Sequence, residues 1–175
     1  MARLLPPLRH PLAATPGRRH PFPLVWDEAA LAGVDAIAVV VPTPLYFVAT
    51  LTTPDADTGT DAVMLALDTD ADNAIEVRRA TGTGSVSIDM RTAGALVASV
   101  AFDPVGLDVF CVIGAVVDFG VSGGRLAGWL DSEENMIEVE GVNVIPPAVL
   151  TWLRLGNNFA GTRPSSGTVH SVRIG

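Results

Sequence analysis

A chain of 175 residues, 49% of them hydrophobic, is long enough to bury one core and short enough to make a single domain the default. Its net charge of −8 and pI of about 4.6 argue against a nucleic-acid partner, because a phosphate-binding surface must gather cations. There is no lysine, and the eleven cations are all arginine.

Nothing at the start reads as a signal peptide. Prolines in Met1-Ala-Arg-Leu-Leu-Pro-Pro-Leu-Arg9 break the apolar stretch such a leader needs. No window approaches the roughly twenty apolar residues of a membrane helix. The expectation is therefore a protein without a membrane partner, made in the cytoplasm of its host and kept soluble. Residues 1–24 stand apart, with Pro6, Pro7, Pro11, Pro16, Pro21 and Pro23, with Arg3, Arg9, Arg18 and Arg19, and with no acidic residue. This composition predicts an extended basic arm. The arm carries +4, so the remainder of a chain at −8 carries −12, a separation that would let the arm of one subunit dock on another. A solvated tail is the alternative.

Residues 25–175 read as one β domain. Asp27 can cap a short helix through Ala32 that ends at Gly33. Runs of strand type then follow at 36–41, 46–52, 62–67, 74–79, 85–89, 96–102, 110–117, 126–130, 137–142, 149–155 and 168–174, separated by residues that punctuate strands. About eleven strands at this spacing specify an antiparallel sandwich or barrel and exclude a βαβ fold. Alternation is clearest in Ser85-Val-Ser-Ile-Asp-Met90. It places Val86, Ile88 and Met90 on a buried face and Ser85, Ser87 and Asp89 on a wet one. Cys111, the single cysteine, lies in an apolar run and reads as a small buried hydrophobe.

Three later segments carry a resemblance. Phe110-Cys-Val-Ile-Gly-Ala-Val-Val117 is a buried strand, Arg125-Leu-Ala-Gly-Trp-Leu-Asp131 follows it, and Leu153-Arg-Leu-Gly156 leads through a loop to Gly167-Thr-Val-His-Ser-Val-Arg-Ile174. Together they resemble the laminin-G-like, concanavalin A-like lectin/glucanase superfamily. The resemblance implies an antiparallel jelly-roll β-sandwich. Asp131-Ser132 and His170-Ser171 depart from the acidic and glycine positions of that pattern, so no metal role is carried over with them.

Candidate sites are few. Glu138-Val-Glu140, with Glu133 and Glu134 upstream, puts two carboxylates on one strand face, but lacks the central aspartate of the superfamily's glucanase motif. No catalytic residue is assigned. Asp68-Thr-Asp-Ala-Asp-Asn73 resembles the opening of a calcium loop, yet Asn73 and Arg79 stand where glycine and glutamate are needed, so a hairpin turn is the expectation and no cofactor is assigned. Asp55, Asp57 and Asp61 form a second acidic loop. Thr81-Gly-Thr-Gly84 is a turn, and His10, His20 and His170 lack the spacing of metal ligands. Trp129, Trp152 and Phe159 could form a sugar-stacking platform, with core packing as the reading preferred for the tryptophans. Asn157, Asn158, Phe159 and Arg163 mark the loop chosen as the contact surface. The reading drawn from these features is a non-catalytic structural protein of a bacteriophage virion, a capsid decoration, fibre or tail component that assembles with copies of itself or other virion proteins; the alternative is a carbohydrate-binding module for a cell-surface glycan.

Overall fold

A computed structural model describes residues 24–27, 35–39, 41, 44–118, 124–140, 150–158, 160–162 and 165–175. Among these are twelve strands: β1 (Leu24–Asp27), β2 (Ala36–Ala38), β3 (Leu45–Thr52), β4 (Ala62–Asp68), β5 (Ala74–Arg79), β6 (Ser85–Thr92), β7 (Ala95–Pro104), β8 (Phe110–Asp118), β9 (Arg125–Leu130), β10 (Ile137–Glu140), β11 (Trp152–Leu155) and β12 (Thr168–Ile174). They form two six-stranded sheets, sheet A in the order β1-β12-β3-β8-β9-β10 and sheet B in the order β2-β11-β4-β5-β6-β7. Neighbours pair antiparallel throughout, giving the jelly-roll sandwich.

Side-chain alternation explains how the sheets meet. In β3, Leu45, Phe47, Ala49 and Leu51 are buried and the residues between them are half-exposed. They face Ile75, Val77, Val86, Ile88 and Met90 of sheet B across the same core. Each large side chain buried in this way contributes about 1.5–3 kcal/mol. A Cβ on Gly128 of β9 would come within 2.7 Å of Ile88 Cδ1, so the sheets approach closely there. Cys111 is buried in this core, and burial, with the Asp131 charge nearby, pushes its thiol up to about 11.

Asp27, the expected cap of a short helix, lies in β1, opposite Ser171 of β12; residues 28–33 of that helix, and residues 1–23 of the arm, fall outside the described residues. Two expectations are corrected. The polar face of β6 is not wet, since Ser87 and Asp89 are buried beneath neighbouring side chains. Finally, β6 and β7 extend to Thr92 and Ala95 around a two-residue turn in which Ala93 and Gly94 both take positive φ, of 50° and 78°.

Candidate functional site

The outward face of sheet B carries an ordered array of charges, built from one tripeptide pattern used three times. Glu76-Val-Arg78 on β5, Asp89-Met-Arg91 on β6 and Trp152-Leu-Arg154 on β11 each place an apolar residue inward and the flanking pair outward. Register then sets Glu76 directly opposite Asp89, a like-charge pairing that is unfavourable alone. Diagonal arginines resolve it. Arg78 Nη2 lies 2.7 Å from Asp89 Oδ2, and Arg91 Nε lies 3.6 Å from Glu76 Oε2. Arg78 also reaches Asp61 at 3.2 Å, and the Ser99 hydroxyl on β7 donates to Asp89 Oδ1 at 2.7 Å.

The same logic extends to the other half of the sheet. Arg154 Nε donates to Asp68 Oδ2 at 2.7 Å across β11 and β4. Asp68 is wholly buried, and among the described residues its Oδ1 has no hydrogen-bond partner. Burial therefore lifts its carboxyl above the ordinary value; Arg154 opposes the rise, and the nearby charges of Glu76 and Asp70 add to it. Trp152 sits beside Arg154 with its ring centroid 6.0 Å from the guanidinium carbon. The residue is 39% exposed. An accessible indole next to oriented guanidinium donors is a surface that stacks on an apolar ring and hydrogen-bonds its polar edge.

The tryptophans do not form one platform. Trp129 is buried on the outward face of sheet A, against Gly114 and 5.7 Å from the Tyr46 ring, whereas Trp152 points outward from sheet B. Core packing does not describe Trp152, because its inward neighbour on β11, Leu153, takes the buried position.

In the loop chosen from sequence, Asn157 Oδ1 accepts from the Asn158 amide at 2.9 Å, and Asn158 Oδ1 accepts from the Thr162 amide at 2.9 Å. These side chains serve the turn itself. Phe159 and Arg163 lie outside the described residues, as do Arg3, Arg9, Arg18 and Arg19.

The remaining candidates have structural partners. Asp70 Oδ1 accepts from the Asp72 and Asn73 amides and the Asn73 side chain, each at 2.9 Å, closing the β4–β5 turn. Those bonds, the Asn73 side chain first, hold its carboxyl below the ordinary value. Asp57 is lowered in the same way by the Thr81 hydroxyl and the Gly82 and Gly59 amides. Glu138 accepts from Arg125 Nη2 at 2.8 Å, and Glu133 accepts from the Tyr46 hydroxyl at 3.0 Å. His170 Nε2 lies 2.8 Å from Thr52 Oγ1 on sheet A. Among the described residues, no three His, Cys, Asp or Glu side chains are placed to hold a metal ion.

Comparisons with known proteins bear on the fold. No protein-family profile and no curated protein sequence matches the chain. Solved structures do. A Caenorhabditis elegans galectin, LEC-6, aligns with TM-score 0.58 and 12% identity over 86% of this chain and 95% of its own. The CBM40 of the Ruminococcus gnavus IT-sialidase, solved bound to alpha2,6 sialyllactose, aligns with TM-score 0.56 and 12% identity over 81% of this chain and 89% of its own. At this identity the likeness concerns architecture: the chain has the antiparallel jelly-roll β-sandwich fold of these galectin and CBM40 structures.

Proposed function

We propose that this chain is a non-catalytic carbohydrate-binding module that holds a glycan on the outward face of sheet B. The observation that carries the reading is Trp152, an exposed indole beside Arg154 on a sandwich of lectin type. A pyranose ring stacks its apolar face on the indole while its hydroxyls accept from the guanidinium. The galectin and the sialyllactose-bound CBM40 support the reading as proteins of the same architecture. A cell-surface glycan remains the source that the sequence suggests.

Assembly into a virion draws in part on the basic arm, residues 1–24, of which the structure describes Leu24 alone. The named neighbours lend that reading no support.

A glycan array, followed by calorimetric titration of any hit, tests the module. Trp152→Ala should weaken binding at least tenfold, about 1.4 kcal/mol, while leaving the unfolding midpoint nearly unchanged. A blank array, or undiminished binding by the variant, overturns the proposal.

A further inference from the structure

Resting on that glycan-binding reading, we infer that the face of sheet B selects neutral glycans over anionic ones. The reason lies in how its cations are committed. Arg78, Arg91 and Arg154 each lie against a carboxylate, of Asp89, Glu76 and Asp68 respectively. Asp61, beside Arg78, adds a further negative charge at the rim. These groups together carry three positive and four negative charges. The chain as a whole adds a field of the same sign, at −8.

Depth reinforces the count. The three paired carboxylates are almost completely buried, whereas the arginines that cover them keep about a fifth of their side-chain surface in contact with solvent. An arriving sugar therefore meets guanidinium N–H groups lying over buried acids. A sugar hydroxyl can accept from such a group without disturbing the pair beneath. A sialic acid carboxylate or a sulfate would compete for the same guanidinium, and a carboxylate beneath it cannot turn to water for compensation. Trp152 is indifferent to this choice, because stacking uses the uncharged face of the ring.

The test is an array of neutral oligosaccharides, each printed beside its sialylated and sulfated derivatives, read at low and high salt. The expected result is at least a tenfold preference for the neutral member, little altered by salt because no net ion pairing is gained. Equal or tighter binding of the acidic member overturns this inference and leaves the glycan-binding proposal standing. An array blank for every sugar overturns the proposal beneath it. Asp68→Asn and Asp61→Asn each remove one negative charge and should shift the ratio toward the acidic member. Asp61 is partly exposed, so its variant keeps the test usable if Asp68→Asn fails to fold. A ratio moved by neither substitution also overturns the inference.

Discussion

Removing Arg78 should cost this fold far more than its partly exposed position on an outward sheet face suggests. Asp89 is wholly buried, and the Arg78 guanidinium lies 2.7 Å from its Oδ2. Arg78→Met leaves that carboxylate with the Ser99 hydroxyl and an uncompensated charge. Breaking a buried ion pair from one side costs about 3–5 kcal/mol. The lower end applies here, since Ser99 still donates and the arginine retains some solvent screening. For a chain of this size, about 3 kcal/mol corresponds to a fall in Tm of roughly 6–12 °C. The double variant Arg78→Met with Asp89→Leu should return to within about 1 kcal/mol of the parent, because no stranded charge remains. Urea unfolding followed by tryptophan fluorescence gives both numbers from the midpoint and slope. A loss below about 1 kcal/mol for the single variant, or a double variant as unstable as the single, would refute the reasoning.

Gly114→Ala should cost about 1–3 kcal/mol and alter near-ultraviolet circular dichroism, because the new Cβ would lie 2.1 Å from Trp129 Cζ2; an unaltered spectrum would show that the indole does not pack there. Asp68, raised by burial from its ordinary value of 3.8, binds its proton more tightly folded than unfolded. Its contribution to stability is therefore full below 3.8 and is lost as pH rises through the raised value. Asp68→Asn should flatten the decline in urea midpoint as pH rises above 3.8, and an unchanged profile would count against the assignment. Cys111, buried and pushed up to about 11, should resist alkylation at pH 8 in the native protein and react on unfolding. Rapid native labelling would contradict its placement.

The site was far less legible than the fold, and particular residues show why. Trp152 was named from sequence, but with the indole inward as the preferred reading. Only the burial of Leu153, with Leu155 packed partly buried against the same core, decides its direction. Asp68 read as the first residue of an acidic turn. Its partner Arg154 lies 86 positions away, and no local pattern announces that pairing. Asp89 was assigned correctly to the polar face of β6, yet it is buried, because β5 and β7 bring Arg78 and Ser99 against it. The recurring tripeptides Glu76-Val-Arg78, Asp89-Met-Arg91 and Trp152-Leu-Arg154 were the available signal. Reading them as one surface requires knowing that three separate strands share a sheet.

Composition, turn residues and period-two alternation were enough to determine an all-β sandwich or barrel, most of its strand segments and the inward face of β6, because each depends on neighbours within a few positions. Strand order, register and the burial of the polar face belong to the tertiary structure alone. They arise when antiparallel pairing stacks distant strands side by side, and it is that stacking which turns scattered arginines, carboxylates and one tryptophan into a surface.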